Sequence, residues 1–99
     1  TATWTLQNNL TIGVTSRAVT FVSGIVDFNN KTFSGVNTFV INNTAGTVTI
    51  NNTGGTTFTT SVAVTHTAGT LNLGTNFATT STTGYLFTAG TLNLNNFIL

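Results

Sequence analysis

Thr67-Ala68-Gly69-Thr70-Leu71-Asn72-Leu73 returns as Thr88-Ala89-Gly90-Thr91-Leu92-Asn93-Leu94, and looser copies run upstream to the start of the chain. Thr44-Ala45-Gly46-Thr47-Val48-Thr49-Ile50 matches it, then Ser23-Gly24-Ile25-Val26-Asp27-Phe28, then Thr1-Ala2-Thr3-Trp4-Thr5-Leu6 with Ala2 in the glycine place. The marker positions 2, 24, 46, 69 and 90 stand 22, 22, 23 and 21 residues apart. A period in this range is the signature of a solenoid, in which each coil buries its apolar face only when a neighbour stacks on it.

Stacked coils must present like residues in like columns. Two places after each marker stand Trp4, Val26, Val48, Leu71 and Leu92; four places after stand Leu6, Phe28, Ile50, Leu73 and Leu94. The residues between them, Thr5, Asp27, Thr49, Asn72 and Asn93, are all polar. This is a strand recurring once per coil, apolar inward and polar outward with a period of two. At 39% apolar composition, ten apolar residues in ten places arise by chance about once in ten thousand. These ten are the expected structural core.

A second strand is expected before each marker, with Val19, Ile41, Val64 and Tyr85 in one column and Phe21, Asn43, His66 and Phe87 in another. After the first strand, Asn8, Asn30, Asn52 and Asn96 share a column, broken in the fourth coil by Thr75. Asparagine tolerates left-handed backbone geometry, and stacked amides can bond one another from coil to coil, so an asparagine ladder is expected at this corner. The rest of each coil carries Leu10, Ile12 and Val14, then Phe33 and Val36, then Phe58, then Phe77, which suits one loose strand or a wide turn. About 22 residues at roughly 3.3 Å each enclose a triangular section of three short strands and three corners.

Thr, Asn and Gly dominate the chain, and there is no Pro, Cys or Met. Nowhere do apolar residues recur at helical spacing with charged partners, so no helix is expected. No apolar run reaches membrane-spanning length, and no lipidation or secretory signal is visible. A chain without an initiating Met is expected to be a processed product, an excerpt of something longer, or its ordered part. Without Cys there is no disulfide framework, which leaves the redox compartment open.

The charged residues are Arg17, Lys31 and Asp27 alone. Two separated cations cannot neutralise the run of phosphates that nucleic-acid binding requires. A surface of hydroxyls and amides with 3% charge differs from that of ordinary soluble domains and suits extracellular shafts and coats.

His66 is the only histidine and Asp27 the only acid, so paired-carboxylate chemistry is excluded within the chain. A Ser-His-Asp triad fails as well, because coil spacing sets these two residues about 8 to 9 Å apart along the axis. His66 is expected at the surface or partly buried in a strand. One His, one acid and no Cys cannot close a zinc site, and the glycines read as corners rather than phosphate cradles. No cofactor, metal or catalytic residue is assigned, and the chain is read as no enzyme. Trp4 could offer a sugar-stacking platform, but its column argues for core packing.

Sequons occur at Asn9, Asn30, Asn42 and Asn51, as an Asn- and Thr-rich chain readily produces. Flat Thr-x-Thr arrays mark ice-binding solenoids; Thr3-Trp4-Thr5 and Thr47-Val48-Thr49 fit, whereas Ile25 with Asp27, Thr70 with Asn72 and Thr91 with Asn93 break the array. Units such as Thr88 to Phe97 and Thr47 to Thr57 resemble the degenerate repeats of β-helical phage tail fibres and other virion appendages. They are also similar to the β-strand repeats of bacterial autotransporter adhesins. The resemblance is compositional, and it implies an elongated, surface-exposed structural or attachment role on a virion or at the extracellular surface.

The sequence therefore predicts a right-handed parallel β-helix over residues 1–99, a single segment with coils starting near 2, 24, 46, 69 and 90, belonging to a larger assembly or chain. A β-sandwich is the rival fold. The expected role is a structural, non-catalytic part of a viral fibre, spike or coat; the alternatives are a bacterial adhesin or filament segment, then an ice- or glycan-binding module. The expected partners are further copies or neighbouring structural subunits, with a surface glycan or receptor as a further class, and neither nucleic acid nor membrane insertion. Phe97, Ile98 and Leu99 begin a fifth coil without polar cover and form the expected assembly edge.

Overall fold

A computed structural model describes residues 3–12, 19–35, 38–82 and 84–99. Thr1, Ala2, Val14, Arg17 and Val36, named above, lie outside the described residues. Eleven strands and no helix are found among the described residues: β1 (Thr3–Thr5), β2 (Leu10–Ile12), β3 (Val19–Phe21), β4 (Gly24–Asp27), β5 (Phe33–Gly35), β6 (Thr38–Asn51), β7 (Thr57–Thr60), β8 (Ala63–Leu73), β9 (Asn76–Thr79), β10 (Tyr85–Phe87) and β11 (Thr91–Asn93). Every ladder is parallel and joins strands about one repeat apart in the chain, so the fold is an all-β solenoid and the antiparallel sandwich is excluded.

The coil has three walls. The first carries β1, β4, the second half of β6, the second half of β8, and β11; the second carries β3, the first halves of β6 and β8, and β10. Because β6 and β8 run round the corner unbroken, these two walls form one seven-stranded sheet. The third wall is built differently. There β2 pairs with β5 and β7 with β9, as two separate two-stranded sheets.

The marker glycine has a steric reason. At Gly90, φ is +104° and an added Cβ would meet the Gly69 carbonyl oxygen at 2.3 Å, so successive coils approach too closely at this corner for a side chain.

The columns expected from the sequence are wrong in register at one step on the first wall and at two on the second. On the first wall Trp4 pairs with Val26, Val26 with Ile50, Ile50 with Leu73, and Leu71 with Leu92, giving steps of 22, 24, 23 and 21 residues. Gly24 thus lies beside Val48, not beside Gly46, and Val26 beside Ile50, not Val48. On the second wall the partner of His66 is Ile41 and that of Val64 is Phe39, so Asn43 and Ile41 do not hold the places expected of them. The cause is the corner between these walls. It takes 4 residues from Phe21 to Ile25, 8 from Ile41 to Thr49, and 6 both from His66 to Asn72 and from Phe87 to Asn93. These lengths differ by even numbers, so with a side-chain period of two each coil returns to the first wall with the same face inward.

The buried core comprises Leu6, Val26, Phe28, Phe33, Val48, Ile50, Phe58, Val62, Val64, Leu71, Leu73 and Phe77. Along the third wall the rings of Phe33, Phe28, Phe58 and Phe77 form a column: Phe28 stacks on Phe58 with centroids 3.6 Å apart, while Phe33 meets Phe28 and Phe77 meets Phe58 edge-on at 5.7 and 5.4 Å. This column spans the gap between β5 and β7 where no backbone ladder runs. The Thr60 hydroxyl crosses the same gap, donating to the Phe33 carbonyl at 2.6 Å.

Two of the ten expected core residues are not covered. Trp4 is 43% and Leu94 42% exposed, and Leu92 is half-buried; each lies in an outermost coil with a described neighbour on one side only, although Leu6 in the first coil is still covered. Trp4 leans on Phe21, ring centroids 5.7 Å apart, instead of being enclosed.

Candidate functional site

Four features can carry function: the asparagine corners, the lone acid, the lone histidine, and the exposed end coils. The corners hold left-handed residues at Asn29, Asn30, Asn95 and Asn96, with φ between 49° and 69°. Their amides do not form the expected amide-to-amide ladder. Asn29 Nδ2 donates to the Leu6 carbonyl at 3.2 Å, and Asn95 Nδ2 to the Leu73 carbonyl at 3.2 Å. Asn52 is buried; its Oδ1 accepts the Asn30 N–H at 2.7 Å and its Nδ2 donates to the Thr57 carbonyl. The amides of Asn29, Asn52 and Asn95 therefore satisfy backbone groups where the chain turns, several of them in the neighbouring coil. The longer step between the second and third coils sets Gly54, not Asn52, beside Asn30, which breaks the column. Asn8 is exposed.

Asp27 lies on the first wall beside Asn51. Its Oδ1 accepts the N–H groups of Asn29 and Thr53 at 2.8 and 2.9 Å, and its Oδ2 accepts the Thr53 hydroxyl. Burial pushes the carboxyl's pKa up, but the bonds from the Thr53 hydroxyl, the Thr53 N–H and the Asn29 N–H outweigh it and hold the group below its ordinary value. All acceptor positions used here face the protein. Asp27 is a staple between two coils.

His66 is fully buried, deeper than the surface or partly buried strand position expected from the sequence. Alternation along β8 turns it inward with Val64, and it survives there because both ring nitrogens are satisfied. Nε2 lies 3.3 Å from the Gly69 carbonyl, which can only accept, so Nε2 carries a proton; Nδ1 then accepts from Tyr85 Oη at 2.9 Å. Phe87 covers the ring edge-on at 5.0 Å. Burial pushes the Tyr85 phenol up to about 12, which keeps it a neutral donor. The partners of His66 and Asp27 are different residues in different coils, so no relay joins them. Among the described residues no group of three or more His, Cys, Asp or Glu could hold a metal.

The end coil is the fourth feature. Phe97, Ile98 and Leu99 pass beside β9, where the Phe77 N–H donates to the Ile98 carbonyl at 2.8 Å and the Ile98 N–H to Asn76 Oδ1 at 3.0 Å. They begin the next level of the third wall. Ile98 is 70% exposed, and Phe87, Leu94 and Leu99 are also exposed. Inside this rim opens a cleft of about 450 Å³ lined by Phe77, Ala78, Thr79, Tyr85 and Leu99. Its lining includes the inward residues Phe77 and Tyr85 of the last complete coil. The sequence signalled this edge through the uncharged Phe97-Ile98-Leu99 run, but the cleft behind it depends on how the third wall closes.

Compared with known proteins, the chain matches no family model, no curated protein and no solved structure.

Proposed function

We propose that this solenoid is a structural, non-catalytic element of a surface assembly such as a viral fibre, spike or coat, where it contributes to assembly or host attachment. The observation that carries the reading is the stack of parallel strands about one repeat apart, closed on continuous apolar columns under a surface with 3% charged residues. The polar groups support the same role. Asp27, His66 and the amides of Asn29, Asn52 and Asn95 are engaged in bonds within the fold.

An antibody against the chain tests this. It should label appendages or particle surfaces of the source in electron micrographs. Labelling confined to soluble cell contents, or turnover of a glycan or peptide by the purified chain, would remove the proposal. Tight nucleic-acid binding that weakens steeply with salt would do the same.

A further inference from the structure

The solenoid is bonded unevenly at one level, and we infer that it bends there: the junction between the second and third coils is a hinge that opens along the third wall. The inference goes beyond the architectural reading and does not depend on it, since it concerns how the stack moves and not what it serves. Two walls are laddered at this junction. On the first, β4 pairs with β6 over four residues, and on the second β3 pairs with β6 over three. Along the third wall, among the described residues, no ladder joins β5 to β7, although β5 is laddered to β2 and β7 to β9.

The contacts that span this seam are made by side chains, and they differ in tolerance. Next to the first wall the seam is stapled: the Thr53 N–H and hydroxyl donate to the Asp27 carboxylate, and the Asn30 N–H donates to Asn52 Oδ1. Further along, the Phe28 ring lies on Phe58 with centroids 3.6 Å apart and planes within 7° of parallel. Flat rings can slide over one another and stay in contact, whereas a ladder bond weakens steeply once its N–H and C=O fall out of line. Beyond the rings the Thr60 hydroxyl donates to the Phe33 carbonyl at 2.6 Å. Thr60 is therefore the latch, set at the far end of β7 from the staple.

The backbone has slack at the same level. Between the first and third walls the third coil takes 8 residues from Ile50 to Phe58, where the fourth takes 4 from Leu73 to Phe77. The extra length includes Gly54 at φ +83° and Gly55, residues that absorb changes of backbone angle at little steric cost. With two walls laddered and one latched, the axis of bending lies at the corner between the first and second walls, opposite the seam. Opening of this kind belongs to the low end of the range of local stabilities, because few directional bonds are broken.

The test uses the whole chain, which has no Cys, so that engineered pairs can be spin-labelled cleanly. Thr11→Cys with Ala78→Cys occupies exposed positions on the third wall and spans the seam. Thr20→Cys with Leu86→Cys occupies exposed positions on the second wall and crosses the same junction through the ladder Thr20, Val40, Thr65, Leu86. Each pair spans three steps of about 4.8 Å. Double electron–electron resonance should give a distance distribution at least about twice as wide for the third-wall pair. Adding Thr60→Val should widen it further and leave the second-wall distribution unchanged. Equal widths on the two walls overturn the inference. So does a wide third-wall distribution that Thr60→Val leaves as it was, which would place the motion in β2 itself. Every labelled protein is checked for retained β-sheet circular dichroism. Should the Thr60→Val protein fail to fold, Phe58→Leu, which removes the flat stack and keeps an apolar filling, takes its place with the same expectation.

Discussion

The third coil and the last coil are written in nearly the same residues, yet they differ in almost every physical respect. Val48 and Ile50 are completely buried between Leu71 and Leu73 on one side and the strand of Val26 on the other. Leu92 and Leu94 repeat their pattern, but Leu92 is half-buried and Leu94 largely exposed. The amino-acid code of a coil therefore specifies which way its side chains face, and its burial comes from having neighbours on both sides. In a solenoid the energetic value of a residue depends on its level in the stack.

The sharpest break of this comparison is Ile50→Asp beside Leu94→Asp. The first buries an unpaired charge and should cost several kcal/mol, about the whole stability of a small domain, so denaturant melts should find the chain unfolded. The second should leave a folded chain. Equal loss from both would mean that coil level has no influence.

Next in size is Phe58→Ala beside Phe97→Ala. Phe58 is sandwiched between Phe28 and Phe77 where the third wall has no ladder, and its truncation should cost about 3–5 kcal/mol. The same change at the exposed Phe97 should cost under about 1 kcal/mol in thermal or urea unfolding. If the Phe58 variant melts within a degree or two of the parent, the aromatic column does not hold that wall together.

A smaller effect should separate Thr60→Val from Thr59→Val. The Thr60 hydroxyl donates to the Phe33 carbonyl and accepts the Val62 N–H at 3.2 Å, both in buried surroundings. Its loss should cost about 1–3 kcal/mol, whereas the exposed Thr59 should change stability by no more than about 0.5 kcal/mol. Hydrogen exchange should show the β5 and β7 amides losing protection together in the first variant alone.

The least effect, and the one most specific in its conditions, concerns Asp27. Its folded pKa lies below the ordinary 3.8, so its stabilisation is fully present above the unfolded value and is lost as pH falls through the folded one. The melting temperature should decline across that acid window, and Asp27→Asn should remove the decline while lowering stability near neutrality. A parent and variant with parallel pH profiles would show that the staple between these coils contributes nothing.

The repeat period and the inward facing of the core columns were legible in the residues. Period and facing follow from local alternation, which a strand imposes whatever it pairs with. The asparagine corners were legible as turns, because left-handed geometry is a local preference. Their bonding was not. An amide at Asn29 reaches the Leu6 carbonyl only after two coils have stacked, and composition carries no sign of that contact.

Three matters were left to the tertiary structure. Register was one: a two-residue slip replaces Val48 by Ile50 beside Val26, and since both are apolar and inward the pattern cannot tell the two pairings apart. Burial of His66 was the second, because an imidazole enters a core only when both nitrogens find partners, and Tyr85 comes from the next coil. The third was the character of the ends. Alternation determined by itself that Trp4 and Leu94 point along the core columns; only the finite stack decided that they stand uncovered, because burial is made by neighbouring coils and an outermost coil is covered on one side alone.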